Sequence, residues 1–268
     1  MKKIGLIGAG NMGGAILRGM LTSGYASVDE MMVCEQSVEK LQAMEDEFPE
    51  LCRTNDARTL AQECRMILLA VKPQVLGGVL DEIHDCLNNH AVISIAAGWT
   101  TAMLQEKLAG TNAAIMRVMP NTPALVGAGM TAICRETTFS EEDFAYAEGI
   151  FGAIGETIIL DEHLFDGVTA VSGSSPAYVF ILIEAMADAA VKEGIPRTAA
   201  IKMAAQSVLG SAKMVLETGK HPAELKDAVC SPAGTTIDAV EVLEKDGFRA
   251  AIQEAMAACA DKSRRMAN

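Results

Sequence analysis

With 35 acidic side chains against 22 basic ones among 268 residues, the chain carries a formal net charge of −13, and it lacks the basic face that a phosphate backbone demands, so nucleic acid is excluded as a partner. Half of its residues are hydrophobic, enough to bury a core in one large or two modest domains, yet no run approaches ~18 uninterrupted apolar positions and a glycine loop stands where a signal peptide would have its apolar stretch, so neither a membrane span nor export is expected. Seven cysteines without CxxC spacing and only four histidines read as reduced thiols of a cytoplasmic protein with no metal site.

The chain opens with a short apolar strand, Lys3 to Ile7, followed by Gly8-Ala9-Gly10-Asn11-Met12-Gly13 and a helical pattern from Ala15 to Leu21. Strand, glycine turn and helix in that order form the opening of a dinucleotide-binding unit. Gly8 permits the tight turn, Gly10 lets the backbone approach a pyrophosphate, and Gly13 lets the helix pack on the strand. A second strand, Met31 to Cys34, ends in Glu35, where this fold places the group that reads the adenosine ribose. A carboxylate there accepts from a 2′-hydroxyl and repels a 2′-phosphate, which favours NAD. Gln36, Ser37 and Lys40 would hold a phosphate if Glu35 turned away, which leaves NADP open.

Further on, Met66 to Val71 and Ala91 to Ile95 are continuous apolar runs of the kind found in parallel strands covered on both faces. They run into Ala70-Val71-Lys72-Pro73 and Ala96-Ala97-Gly98, at strand C-termini where open α/β sheets bind ligands and where small residues leave room for a flat nicotinamide. Arg117 to Ala124 is a rigid turn with two prolines and an amide side chain.

After Leu160 the pattern becomes helical throughout: Pro176 to Val191, Arg197 to Glu217, Pro222 to Val229, Thr236 to Lys245 and Phe248 to Arg265, with stops at Gly194-Ile195-Pro196 and Gly219. These features predict an α/β dinucleotide-binding domain over 1–160 and an all-α domain over 161–268. The helix from Pro176 carries Phe180, Leu182, Ile183 and Met186, more apolar surface than a bundle of this size covers alone, so an interleaved homodimer is expected. Ser231-Pro232-Ala233-Gly234-Thr235-Thr236 forms a tight turn into a helix N-terminus with Thr235 at or near its cap. Unpaired N–H groups and the positive end of the helix dipole make it a cradle for a carboxylate or phosphate.

Five segments, namely the glycine loop, Ala70 to Pro73, Arg117 to Ala124, Val171 to Tyr178 and Leu225 to Ile237, resemble the Δ1-pyrroline-5-carboxylate reductase family in its own order, end to end. The resemblance implies a Rossmann domain, a helical dimerisation domain that builds a homodimer or an assembly of dimers, and reduction of pyrroline-5-carboxylate to L-proline by NAD(P)H. It places the substrate carboxylate on the turn formed by Ser231, Gly234, Thr235 and Thr236, the Thr236 hydroxyl as the catalytic group at the ring nitrogen, Glu162 near that nitrogen, and Asn55 on the adenosine side of the cofactor. Ala233 departs from the family's usual glycine, and Ala228 stands where some relatives have Asn. A β-hydroxyacid dehydrogenase would need a lysine in the first helix of the second domain, and Ser172 to Ile183 has none. A non-catalytic cofactor-binding regulator would have a degraded cradle, and here the turn is intact.

Overall fold

The computed structural model describes residues 2–266, which form two compact units: the chain through Ser174 together with the chain from Cys259 onward, and Ser175–Ala258. In the first, strands β1 (Lys2–Ile7), β2 (Met31–Cys34), β3 (Cys52–Thr54), β4 (Cys64–Leu69), β5 (Ala91–Ser94), β6 (Ala114–Met119), β7 (Gly129–Cys134) and β8 (Gly155–Leu160) form one sheet in the order β3-β2-β1-β4-β5-β6-β7-β8. All neighbours are parallel except β6 and β7. The first six strands have the doubly wound order, which reverses between β1 and β4 and so opens a crevice at their C-terminal ends. Helices α1 (Asn11–Thr22), α2 (Val38–Glu47), α3 (Ala57–Glu63), α4 (Pro73–Ile83), α5 (Thr101–Lys107) and α6 (Glu141–Gly152) connect the strands.

The strands read as apolar runs because both faces are covered, and the two-residue period of a strand sorts their side chains. Ile4, Leu6, Met66 and Leu68 pack with Ile16, Leu17 and Met20 of α1 and Ile150 and Phe151 of α6. Ile7, Ile67 and Leu69 face the other way, onto Leu60, Leu76 and Leu80 of α3 and α4. Each such fully buried side chain contributes about 1.5–3 kcal/mol. Beyond β8 a short turn over Glu162–Leu164 leads into α7 (Phe165–Val168) and one π-helical turn, Thr169–Gly173.

The second unit holds α8 (Ser175–Lys192), α9 (Arg197–Thr218), α10 (Pro222–Val229) and α11 (Thr235–Lys245). It also holds the first half of α12 (Phe248–Met266), which from Cys259 onward belongs with the sheet unit. There Ser263 Oγ donates to Asp166 at 2.6 Å, and the Cys259 thiol donates to Ser174 Oγ at 3.2 Å. The helices lie where the sequence pattern places them, and Gly219 ends α9 in the left-handed conformation, φ 63°. Among the described residues of this helical unit, the buried hydrophobic side chains are Ala187, Ala200 and Ala204. Phe180, Ile181 and Leu216 are 64%, 66% and 82% exposed.

Candidate functional site

At the crevice, the end of β1 passes into the glycine turn through Gly8, whose φ of +95° is a left-handed value that suits glycine. A side chain on Gly13 would collide with the Gly8 carbonyl oxygen, so its absence lets α1 start directly on the turn. By contrast a Cβ on Gly10 would meet nothing within 4 Å. That position faces open space. Its backbone begins α1 as an N-cap without any side-chain acceptor, and Lys72 begins α4 in the same way. The neighbouring helices α2, α3, α5 and α6 are closed by Ser37, Asp56, Thr100 and Ser140, each accepting from an amide of its own first turn. In the sheet unit, α1 therefore presents free N–H donors at the crevice and both α1 and α4 turn their positive dipole end toward it, a setting that suits an anion.

Above these helix starts runs a cleft of about 1200 Å³, lined by Gly8, Gly10, Asn11, Met12, Glu35, Gln36, Asn55, Ala70, Val71, Lys72, Pro73, Ala96 and Ala97. All but two of the residues expected to bind cofactor are thus brought together. The other two, Ala9 and Ser37, support the wall from behind. Ala9 is buried and donates its amide to Glu35 Oε2 at 2.8 Å. Ser37 caps α2 and donates its hydroxyl to Glu39 at 2.7 Å. The cleft also includes Lys40, Asp56, Glu82, Met119, Pro120, Thr122 and Leu125. Its length, small floor and uncapped helix starts fit a dinucleotide with a diphosphate at α1.

Glu35 is held firmly. Its Oε1 accepts from the Gln36 and Ser37 amides, both at 3.0 Å, and its Oε2 also receives Lys40 Nζ at 3.4 Å. Burial pushes the carboxyl up, but the Ser37 and Ala9 amides and Lys40 together outweigh it and hold it below the usual carboxylate value.

Glu162 is likewise committed within the sheet unit. Its Oε1 accepts from the Thr101 amide at 2.6 Å, the Thr101 hydroxyl at 2.9 Å and Arg117 Nη1 at 2.9 Å. Arg117 is buried, and its guanidinium lies 4.7 Å over the Phe165 ring. The carboxylate therefore neutralises a buried cation and anchors the start of α5. This task was not readable from its position in the chain. Asn121 ties a second pair of segments, donating to the Ser172 carbonyl at 3.1 Å and accepting from the Met130 amide at 2.9 Å.

In the helical unit, the turn from Ser231 closes through the Gly234 amide, which donates to the Ser231 carbonyl at 3.0 Å. Gly234 is the N-cap of α11 and again carries no side-chain cap, so Thr235 is the first helical residue, one place beyond the cap. A Cβ on Gly234 would make Ser231 Oγ rotate away and would sit tightly, at 3.1 Å, on the Ser231 carbonyl oxygen. Ala233 has φ +56°, a left-handed conformation that costs a residue with a Cβ roughly 1–2 kcal/mol. The expectation of glycine at this position has its physical reason in that angle. The Thr236 side chain is half-buried, and among the described residues its hydroxyl has no hydrogen-bond partner.

The sequence model for pyrroline-5-carboxylate reductase dimerisation matches residues 162–266, and one described as NADP oxidoreductase, coenzyme F420-dependent, matches residues 3–98. Pyrroline-5-carboxylate reductase of Escherichia coli is 51% identical over 266 residues, covering 99% of this chain and 98% of that relative. The chain belongs to the pyrroline-5-carboxylate reductase family. Solved reductases share its fold: that of Coxiella burnetii has a TM-score of 0.91 at 34% identity, covering 100% of this chain and 99% of its own. A Plasmodium falciparum pyrroline carboxylate reductase with NADP bound has a TM-score of 0.90 at 32% identity, covering 100% and 98%. Both halves of the architecture, a Rossmann-like sheet and a reductase dimerisation region, are those of the family.

Proposed function

We propose that this chain is a soluble, cytoplasmic NAD(P)H-dependent enzyme that reduces Δ1-pyrroline-5-carboxylate to L-proline, the last step of proline synthesis. The observation that carries this reading is the presence of two uncapped helix starts, α1 at Gly10 and α11 at Gly234, in a chain half-identical from end to end to a reductase. The first suits a diphosphate and the second a carboxylate, the two anions the reaction must hold. None of the seven cysteines is in a disulfide, in keeping with a reducing compartment.

A protonated cyclic imine is electrophilic without further activation, and bound reduced nicotinamide supplies the hydride that its carbon takes up. What remains for the protein is positioning. The Gly234 amide closes the turn onto Ser231, the amides of Thr235 and Thr236 hold the substrate carboxylate, and the Thr236 hydroxyl, free of any internal bond among the described residues, meets the ring nitrogen. Since the Glu162 charge is spent on Arg117, support at the nitrogen falls to Thr236 and water, with Glu162 bracing the sheet unit. Ala70 to Pro73, Ala96 and Ala97 keep the nicotinamide end of the cleft flat and narrow. The test is loss of reduced-nicotinamide absorbance on adding pyrroline-5-carboxylate, with proline recovered as product. No turnover by a protein that binds cofactor would overturn the reading in favour of a regulator.

The enzyme works as a homodimer or an assembly of dimers. A helical unit whose buried hydrophobic residues are three alanines cannot offset its own conformational entropy, and its exposed leucines, phenylalanines and methionines each gain about 1.5–3 kcal/mol when covered. The helical stretch Glu162–Lys192 is also long and apolar enough to cross a membrane, by length and composition only. The dimerisation match over the same residues favours a second copy as its cover. Light scattering on the purified protein is expected to give at least twice the 28.3 kDa of one chain, and a stable, active monomer would refute this. Phe180→Asp, which places a charge in the contact, is expected to give aggregation or unfolding and not a clean monomer.

A further inference from the structure

Taking the cleft as the cofactor site of the proposed reductase, we infer that it selects NADH over NADPH, because the Gln36, Ser37 and Lys40 side chains at its ribose end are already engaged and the carboxylates there repel a 2′-phosphate. These three side chains follow β2, where a phosphate on the ribose would come. Gln36 Nε2 donates to the Asn55 carbonyl at 2.7 Å, the Ser37 hydroxyl donates to Glu39, and Lys40 pairs with Glu35 at 3.4 Å. Glu35 does not turn away to free them. It is fixed by the Ala9, Gln36 and Ser37 amides, beside the glycine turn.

Asp56, at the start of α3, and Glu82, near the end of α4, line the same cleft. Burial first, and then Glu82, Asp56 and Glu35, push the buried Cys34 thiol on that cleft up to about 11. Two other cations lie nearby. Lys72 follows β4, two strands from the end of β2 and so about 10 Å away across the sheet. Arg58 donates to the Glu82 backbone carbonyl at 2.7 Å and does not line the cleft. A 2′-phosphate would thus enter a site with three carboxylates and one already paired lysine. A ribose hydroxyl only has to donate to a carboxylate held ready for it.

The inference is tested by calorimetric titration of the full-length protein with NADH and with NADPH in the same buffer. NADH is expected to bind at least about tenfold more tightly, a difference of about 1.4 kcal/mol. The ratio of kcat/KM for the two nucleotides should follow. Glu35→Gln keeps a carbonyl oxygen for the amides and removes the charge. It should cut the NADH-to-NADPH affinity ratio at least threefold, and Glu82→Gln, away from the glycine turn, should lower it in the same direction. Equal or tighter binding of NADPH by the unmodified protein overturns the inference, as does an unchanged ratio in both folded variants. Binding of neither nucleotide overturns it together with the assignment of the cleft, whereas tight but equal binding removes the selectivity alone.

Discussion

Replacing Thr236 with alanine is expected to lower kcat about 10- to 1000-fold while proline, the product, binds within a few fold of its normal affinity. Thr236 is the second residue of α11. The substitution therefore leaves the backbone donors of the Gly234 turn in place and removes only a hydroxyl that bonds to nothing else among the described residues. Alanine is also the better helix former, so the start of α11 should not loosen. A hydrogen bond made chiefly in the transition state is worth roughly 1.5–4 kcal/mol, and its loss appears in kcat more than in ground-state binding. Thr236→Ser restores the hydroxyl and should recover much of the rate. Steady-state kinetics with proline as product inhibitor separates the two effects. An alanine variant turning over at the normal rate would leave the turn as a carboxylate site only, with water alone serving the ring nitrogen.

The other large effect is expected at Gly10, where valine should weaken binding of reduced nicotinamide nucleotide at least tenfold, about 1.4 kcal/mol or more. The protein itself has room for the change: φ at Gly10 is −70°, an ordinary value, and a Cβ there meets no atom within 4 Å. What a branched side chain fills is the space over the α1 amides that a diphosphate must enter. The same substitution at Gly13 would be uninformative, since its Cβ collides with the Gly8 carbonyl and the turn itself would break. Thermal denaturation of Gly10→Val should match the unmodified protein. Unchanged nucleotide titration in that folded variant would take the glycine turn out of the site.

The sheet was legible where a buried strand is also an unbroken apolar run; β6 and β7 are buried as well, but Arg117 interrupts the one and Thr131 the other. Met66 to Leu69 and Ala91 to Ser94 are apolar almost without interruption, and they are strands β4 and β5. β3 is only three half-buried residues, and β8 alternates between half-buried and exposed positions. Neither carries a run strong enough to stand out, so both went unforeseen, together with β6 and β7. The helix expected from Ala15 begins at Asn11, because its first turn is glycine-rich and polar and shows no apolar period.

The site divides in the same way. The glycine turn and Glu35 were found by spacing, but the bond from the Ala9 amide to Glu35 joins residues 26 apart. The Arg117–Glu162 pair spans 45. No local pattern encodes such distances. Asp56 and Glu82 were missed because each resembles an ordinary solvated charge, one capping the start of α3 and the other close to the end of α4. Only the sheet brings both to one cleft.

The single tryptophan of the chain, Trp99, donates its indole N–H to the carbonyl of Pro73 at 3.0 Å, on the turn that begins α4 and lines the cleft. Its emission band overlaps the absorption of a reduced nicotinamide but not that of the oxidised form. The molecule thus carries one native optical donor beside its own cleft: excitation of Trp99 reports which redox state of the nucleotide is bound, without a label, a mutation or a turning-over substrate.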